Sequence, residues 1–222
     1  MDEEEFTALR RRMVETIGAH VLVAREELGK PSLDHRVLEV MAKVPRHEFV
    51  PLEMTSYAYA DTPVPIGFEK TISQPFMVAL MTDLLEPGAE DRVLEVGTGL
   101  GYQTAVLAEL AKEVWTVEIV EELGIEAEKR LRRLGYNNVT VRVGDGSAGW
   151  IEQAPFDKIM VAAAPDLVPP ALINQLKPGG RMVLPAGLPG SQQLVVVDKN
   201  GTGRTRTREL LPVAFSVLET VR

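Results

Sequence analysis

The spacing of apolar residues changes along the chain and divides it into two parts. Over residues 6–28, apolar residues recur every three or four positions, which predicts one amphipathic helix. A second apolar stripe over residues 37–44 predicts another helix, which Ser32 caps and Pro45 ends. From Arg46 the chain is predicted to become extended. The first part is therefore a predicted helical appendage.

Strand and helix patterns alternate from Pro75 onward. Strands are predicted over residues 92–96, 114–118, 139–143, 156–161 and 181–185. Helices are predicted over residues 76–85, 102–111, 121–134 and 169–176. A hairpin over residues 193–198 and 205–211 and a last strand over 213–218 complete the pattern. This alternation predicts an α/β fold with a doubly wound, Rossmann-like sheet, whose ligand crevice lies beyond the carboxyl ends of the strands.

A glycine-rich turn, Gly97-Thr98-Gly99-Leu100-Gly101, joins the strand at 92–96 to the helix at 102–111. Glycines leave the backbone bare, so that a ligand can lie against it at a helix N-terminus. Glu118 ends the next strand, about 20 residues beyond Gly97, where a carboxylate in a βαβ unit points at ribose hydroxyls. The unit predicts a site for a nucleoside-type cofactor.

The spacing of the turn favours one cofactor class. A dinucleotide fingerprint would need a third glycine where Tyr102 stands. Glu95, just before the turn, would repel a pyrophosphate and attract the ammonium of a methionine moiety, which favours S-adenosylmethionine. Such a turn also occurs as a purely structural feature, but Glu95, Glu118 and the later Gly144-Asp145-Gly146 argue against that reading. Asp145 follows the third strand and is expected to recognise adenine; the alternative is a turn aspartate that bonds its own backbone.

Residues 57–74 form a predicted crossover loop between appendage and sheet, with hydroxyl side chains, two prolines and a glycine. Long loops without secondary structure tend to be functional. Its last part, from Thr71 to Gln74, precedes a helix N-terminus and offers N–H groups and hydroxyls that can hold a carboxylate. We predict a single domain over residues 1–222, made of an appendage (1–56), this loop (57–75) and an α/β core (76–222).

Composition excludes several functional classes. The 222 residues include no cysteine, which excludes disulfides, thiolate metal sites and a cysteine nucleophile. The net charge of −8, without a Lys/Arg stripe, argues against nucleic-acid binding. Neither a signal peptide nor an apolar run of membrane length is evident, so that a cytoplasmic protein is expected. The three histidines share no ligand spacing, and no metal site is predicted.

Several stretches together resemble the protein-L-isoaspartate O-methyltransferase family. They are VPRHEFVP at 44–51, PIGFEKTISQPFMVA at 65–79, LEVGTGLGYQTAVLA at 94–108, GDGSAGW at 144–150, APFDKIMVAAAP at 154–165 and LINQLKPGGRMVLPAG at 172–187. Many methyltransferases share the glycine turn and the GDG, whereas the TISQP loop joined to a helical appendage is far more specific. The resemblance extends over nearly the whole chain.

The resemblance implies an S-adenosylmethionine methyltransferase that esterifies the side-chain carboxylate of L-isoaspartyl residues in damaged proteins and peptides. The ester returns to a succinimide, which can reopen as L-aspartyl, and the cofactor leaves as S-adenosyl-L-homocysteine. Ser73 is the implied catalytic residue. The expected cofactor-binding residues are Thr71, Ile72, Gln74, Glu95, Gly97, Thr98, Gly99, Gly101, Gln103, Thr104, Glu118, Asp145 and Gly146.

We expect the Ser73 hydroxyl to orient the acceptor carboxylate and not to act as a nucleophile, because no histidine motif is linked to it. An alternative geometric role is to cap the helix at Phe76, and the two roles can coexist. Two stretches depart from the family pattern. Residues 67–70 lack a second glycine that many members carry, and residues 213–217 lack an arginine and a proline, which leaves peptide preference open.

Three other functions stay open at this stage. The nearest is a methyltransferase of the same fold that acts on a small molecule or an amine, and a more distant one is a non-catalytic binder of damaged protein. An NAD-linked oxidoreductase is least favoured because of Tyr102 and Glu95. The sequence leaves the oligomeric state undetermined and is compatible with a monomer.

Overall fold

The computed structural model describes residues 2–221, so that residues 1 and 222 of the predicted domain lie outside the described part. The N-terminal appendage begins with α1 (Glu3–Val23), whose first turn is closed by a capping box between Asp2 and Glu5. The predicted single helix over 6–28 is interrupted, because the backbone leaves helical geometry at Ala24 before the short α2 (Arg25–Leu28).

The second predicted helix is present, but the predicted N-cap residue, Ser32, was wrong. Helix α3 (His35–Lys43) is capped by Asp34, whose carboxylate accepts the Arg36 N–H at 2.9 Å. Ser32 lies too far upstream, because an N-cap residue directly precedes the first helical residue.

The stretch after α3 is not extended as predicted. Two 3-10 helices, Arg46–Phe49 and Leu52–Tyr57, follow it. The predicted loop also contains a small hairpin of β1 (Val64–Gly67) and β2 (Lys70–Ile72). A two-residue turn joins these strands with Phe68 at φ 53° and Glu69 at φ 57°, in the left-handed region of tight hairpin turns. The strands are too short to show an alternating pattern in the sequence.

The core is a seven-stranded sheet in the order β5-β4-β3-β6-β7-β8-β9. Its elements are α4 (Pro75–Leu85), β3 (Arg92–Val96), α5 (Tyr102–Ala108), β4 (Glu113–Glu118), α6 (Glu121–Arg133), β5 (Val139–Val143), β6 (Phe156–Val161), α7 (Pro170–Gln175), β7 (Leu176–Ala186), β8 (Gln192–Lys199) and β9 (Thr205–Val213). Strands β3 to β7 pair in parallel, and β8 and β9 add an antiparallel hairpin. The predicted α/β class with a C-terminal hairpin is confirmed.

Some predicted element boundaries were wrong. Helix α5 ends at Ala108, three residues before the predicted end, and β7 begins five residues earlier than predicted. The predicted last strand over 213–218 does not form. Val213 belongs to β9, and beyond it the chain makes one isolated bridge, between Ala164 and Val217, because it crosses the carboxyl edge of the sheet instead of running along a neighbour.

The sheet is covered on both faces. One buried cluster joins it to α1, α3, α4, α5 and α6, and a second cluster packs around Trp115 and Phe156 beside α7. The carboxyl-terminal halves of β3 and β6 are fully buried, as expected for central parallel strands. Within residues 2–221, no helix has the length and apolar character required to cross a bilayer.

A buried carboxyl group lies beneath the glycine turn. Glu95 is 0% exposed, and its Oε2 accepts hydrogen bonds from the hydroxyls of Thr104 at 2.5 Å and Thr116 at 2.6 Å. The Thr116 hydroxyl proton is already donated to Glu95. The Thr98 hydroxyl therefore acts as the donor in its hydrogen bond to the Thr116 oxygen, at 2.6 Å. The network connects β3, β4, α5 and the turn. Burial raises the pKa of Glu95 to about 7, against the lowering effect of the two threonine bonds.

The raised pKa of Glu95 predicts that the unfolding free energy depends on pH. The substitution Glu95→Gln should remove the contribution of this group to that dependence. The folded-state pKa lies above the unfolded value of about 4.5, so that the folded protein loses stability as the pH rises from 4.5 to 7. An amide does not titrate. Relative to wild type, the unfolding free energy of the Gln variant should therefore increase across this window by about 3 kcal/mol.

Urea unfolding at several pH values between these limits measures this difference. Glu90→Gln is the matched control, because the Glu90 side chain is 87% exposed and should show no comparable trend. If the difference in unfolding free energy between Glu95→Gln and wild type stays constant with pH, the raised pKa of Glu95 is contradicted.

Candidate active site

The glycine turn, which follows the end of β3, has a backbone conformation that favours glycine. Gly97, Gly99 and Gly101 have φ values of 96°, 55° and 97°, all in the left-handed region. A Cβ atom on Gly97 would lie 3.4 Å from Ala162 at the end of β6, and one on Gly101 would lie 3.1 Å from Leu131 of α6. The turn is thus packed between β6 and α6, and its bare backbone faces the crevice at the switch point of the sheet.

Glu118 closes one side of this crevice at the end of β4. It is 5% exposed, and its two carboxylate oxygens accept backbone N–H groups, from Gly99 at 2.7 Å and from Val120 at 3.0 Å. These bonds fix the orientation of the carboxylate. Each oxygen keeps a lone pair that can accept a further hydrogen bond from a ligand hydroxyl.

A pocket of about 590 Å³, partly open to solvent, lies against the turn. A Cβ atom on Gly146 would come 2.5 Å from Val96, so that glycine is needed for the close approach of these two segments. The wall opposite the sheet is formed by residues 216–219 of the C-terminal segment. This segment is held by the backbone of Ala164, which bonds Ser216 and Leu218 at 2.8 Å each, and by an ion pair between Lys70 and Glu219.

A second space of about 1240 Å³, also partly open, forms a groove on the other side of the loop at Thr71–Gln74. Its wall includes Ser73, residues from α1 and α4, and the segment 211–216. Thr71 and Ala162 line both the pocket and the groove, so the two spaces are adjacent. The arrangement allows a ligand in the pocket to meet a second molecule in the groove.

Asp61 holds the loop at the N-terminus of α4. Its carboxylate accepts the Phe76 N–H at 2.8 Å and the Gln74 amide at 2.9 Å, and it pairs with His20 at 2.6 Å. The alternative in which Ser73 caps this helix is therefore wrong, because Asp61 occupies that role. The Ser73 hydroxyl has no hydrogen-bond partner within residues 2–221, and Ser73 lines the groove.

Most of the predicted site residues line these two spaces or a smaller adjoining one. The pocket and the groove are lined by Thr71, Ser73, Gln74, Gly97, Gly99, Glu118 and Gly146. The smaller space, which Thr71, Gly97 and Gly99 also line, is lined by Ile72, Thr98 and Gln103. Gly101 lies behind the wall at the start of α5, and the fully buried Thr104 bonds Glu95.

Glu95 does not present the ionised carboxylate beside the turn that the sequence argument requires. Its side chain is fully buried, turned away from the pocket toward two threonine hydroxyls, and its raised pKa leaves it only partly ionised at neutral pH. The expectation of a direct electrostatic attraction of an ammonium group by Glu95 is thus corrected: this residue supports the turn from beneath.

Asp145 makes the backbone bonds of a turn aspartate. One oxygen accepts the Ser147 N–H at 2.8 Å and the other accepts the Val221 N–H at 2.9 Å. Burial raises its pKa, but these hydrogen bonds outweigh that effect and leave the pKa below its usual range. The residue ties the C-terminal segment to the crevice, and its contact with adenine stays a prediction.

Sequence reasoning missed several residues of the site. Asp61, from an earlier part of the same loop, and Arg46, from outside it, both contact the segment at residues 73–76, and the 216–219 wall comes from the end of the chain. No local pattern marks these contacts.

Comparison with known proteins agrees with this site. Residues 20–221 match the family model for protein-L-isoaspartate(D-aspartate) O-methyltransferase. The chain is 59% identical to protein-L-isoaspartate O-methyltransferase 1 of Polaromonas sp. (strain JS666), covering 99% of this chain and 93% of the relative. It is 55% identical to protein-L-isoaspartate O-methyltransferase 2 of Syntrophobacter fumaroxidans, covering 96% and 87% respectively.

A solved structure shows the same likeness in three dimensions. It is a crystal structure from Plasmodium falciparum, described as a protein-L-isoaspartate O-methyltransferase in complex with S-adenosyl-L-homocysteine. The similarity has a TM-score of 0.75 at 25% identity and covers 96% of this chain and 99% of that one. With a glycine-turn pocket beside a serine-lined groove and these relatives over its whole length, the chain belongs to the protein-L-isoaspartate(D-aspartate) O-methyltransferase family.

Proposed function

We propose that this chain transfers a methyl group from S-adenosylmethionine to the free carboxylate of L-isoaspartyl residues in damaged proteins and peptides, which starts their return to L-aspartyl. The observation that carries the proposal is the junction of the two spaces at Thr71 and Ala162. A cofactor against the glycine turn and a peptide in the groove can meet there. Family membership agrees with this reaction.

The pocket has the features that S-adenosylmethionine requires. Its glycines leave a bare backbone, and Gly146 allows its segment to pack closely against Val96 at the pocket wall. The charged side chains on its wall are Lys70, Glu118 and Glu219, and Lys70 is already paired with Glu219. The remaining charge is the Glu118 carboxylate, which suits a cationic ligand with ribose hydroxyls.

Each predicted contact has a role in this proposal. Glu118 accepts hydrogen bonds from the ribose, the turn from Gly97 to Gly101 holds the methionine part, and Asp145 with Gly146 lies near the adenine. Thr71 to Gln74 frame both the cofactor and the acceptor. Glu95 and Thr104 act from beneath by holding the turn in place.

When bound, S-adenosylmethionine supplies a methyl group activated by its sulfonium, and it becomes S-adenosylhomocysteine as a carboxylate oxygen takes that methyl. A carboxylate is already ionised at neutral pH, because its ordinary pKa is near 4. The chain therefore does not have to remove a proton from the acceptor. Its task is alignment, which can contribute about 7–11 kcal/mol to lowering a barrier.

The groove suits a peptide better than a compact acceptor. It is partly open to solvent and partly apolar, with Val23, Phe76 and Phe215 on its wall. The Ser73 hydroxyl has no hydrogen-bond partner in the described part of the chain, so that it is free to donate a hydrogen bond to the acceptor carboxylate. The cytoplasmic location and the oligomeric state stay predictions from the sequence.

Methyl incorporation into matched peptides tests the proposed reaction. Labelled S-adenosylmethionine is incubated with an L-isoaspartyl peptide and with its L-aspartyl twin, and base-labile methyl is measured. We expect incorporation into the isoaspartyl peptide alone. Equal labelling of the two peptides, or a base-stable product on an amine or a small molecule, would instead favour the other methyltransferase reading, and absence of cofactor binding would favour a non-catalytic binder.

Two substitutions should separate acceptor alignment from cofactor binding. Ser73→Ala removes a hydrogen bond to a charged acceptor, worth about 1.5–3 kcal/mol, so that turnover should fall about 10- to 100-fold while affinity for S-adenosylmethionine is kept. Glu118→Gln should weaken that affinity about tenfold or more, because the amide replaces one acceptor oxygen by a donor.

Steady-state kinetics and calorimetric titration of the cofactor measure both effects, and each variant serves as the control for the other. Unchanged turnover in Ser73→Ala would remove Ser73 from the reaction. Unchanged cofactor affinity in Glu118→Gln would contradict the ribose assignment.

A further inference from the structure

A completely buried arginine lies directly behind the loop that carries Ser73. Arg46 is 0% exposed, although arginine is almost never fully buried unless it is paired. Its Nε donates to the Ala58 carbonyl at 2.7 Å, and its Nη2 donates to the Ser73 carbonyl at 2.7 Å. The guanidinium carbon lies 4.7 Å from the centre of the Tyr102 ring. The third nitrogen, Nη1, has no hydrogen-bond partner within the described chain.

This cation has no carboxylate partner of its own. Within residues 2–221 it makes no ion pair, and its hydrogen-bond acceptors are neutral carbonyls. Burial lowers its pKa to about 10, with Tyr102, Asp61 and Tyr59 acting in the opposite direction, so the group stays charged at neutral pH. Burial of an unpaired charge is unfavourable, and the fold has to offset this cost elsewhere.

Asp61, the acidic group that raises the pKa of Arg46, is already engaged. Asp61 bonds the Phe76 N–H and the Gln74 amide and pairs with His20. Its negative charge would by itself oppose the arrival of an anionic acceptor at the loop. Arg46 supplies the opposite charge on the inner side of the same loop.

The carbonyl that Arg46 binds belongs to the residue on the groove wall. Ser73 contributes its carbonyl to the guanidinium and lines the groove in which the acceptor is proposed to bind. Only the loop therefore separates the buried charge from that acceptor. Through protein of low dielectric, a charge at this depth acts on a carboxylate more strongly than a surface charge does.

We propose that Arg46 is a positioning residue for the acceptor: it fixes the Ser73 segment from beneath and supplies the positive potential that selects an ionised carboxylate in the groove. The proposal rests on the proposed function, since the acceptor is taken to be the isoaspartyl carboxylate. It adds a charge-selecting residue outside the loop itself.

The indirect placement of this charge suits the reaction. The acceptor is an anion before methyl transfer and a neutral ester afterwards, so that a direct ion pair would stabilise the reactant and be lost as the ester forms. A guanidinium held by two carbonyls attracts the anion without binding the reacting oxygen. The effect of Arg46 should therefore be on affinity and KM for the acceptor, with a smaller effect on kcat.

The test compares two peptides that differ in one charge. One contains L-isoaspartate, and its twin carries a carboxamide in place of the free carboxylate. Their affinities are measured for wild type, Arg46→Gln and Arg46→Lys, each saturated with S-adenosylhomocysteine. Wild type should prefer the anionic peptide; Arg46→Gln should reduce that preference about tenfold, and Arg46→Lys, which keeps the charge, should retain most of it. Arg132→Gln, at a 75% exposed side chain, is the matched control and should leave the preference unchanged.

The charge difference separates this role from a purely structural one. Equal losses of affinity for both peptides in Arg46→Gln would overturn the proposal, because a displaced loop does not distinguish an anion from an amide. If both variants fail to fold, a salt series on wild type decides. The preference should persist from about 50 mM to about 500 mM salt, since a buried charge is poorly screened, and its loss would overturn the proposal. A wild-type enzyme that binds both peptides but methylates neither would refute the proposed function and leave the charge preference measurable.

Discussion

The parallel pairing of β3 with β6 is the constraint on which the site depends. The chain adds β4 and β5 on one side of β3 and then returns to place β6 on the other side. The ends of these strands are tied by backbone bonds, from Ala162 N–H to Val96 O and from Gly97 N–H to Val117 O, both at 2.8 Å. A crevice opens where the strand order reverses, and the glycine turn, Glu118 and Ala162 all meet there.

Polar groups buried beneath this crevice hold it in shape. Glu95 connects two strands, a helix and the turn through threonine hydroxyls, and it is stabilised in the neutral form by burial. Asp61 is satisfied by an N–H group, an amide and an imidazole. Arg46 keeps its charge at neutral pH, with neutral carbonyls as partners. The unfavourable burial of these three polar groups is offset in three different ways. Each group also fixes backbone next to the crevice or the groove.

The distribution of charged side chains around the junction is consistent with the proposed reaction. A cationic cofactor and an anionic acceptor neutralise each other as the methyl group moves, so strong fixed charges at the reacting atoms would oppose the change. The side chains close to the junction are accordingly small or neutral, such as Thr71, Ser73 and Ala162. In the proposed function, Glu118 and Arg46 lie away from the junction and select ligands by the sign of their charge, without contacting the atoms that react.

The sequence by itself determined the fold class, the glycine turn, the carboxylate at Glu118 and the loop before α4. These features follow from local rules: apolar periodicity, the freedom of glycine at positive φ, and the meeting of parallel strand ends at one edge. The sequence did not determine that Glu95 is buried, that Asp61 caps α4, that Arg46 reaches Ser73, or that residues 216–219 wall the pocket. Those contacts join segments far apart in the chain, such as Lys70 and Glu219 at a separation of 149 residues. Only the tertiary structure decides them, because which polar side chain fills a buried gap depends on how the surrounding elements pack.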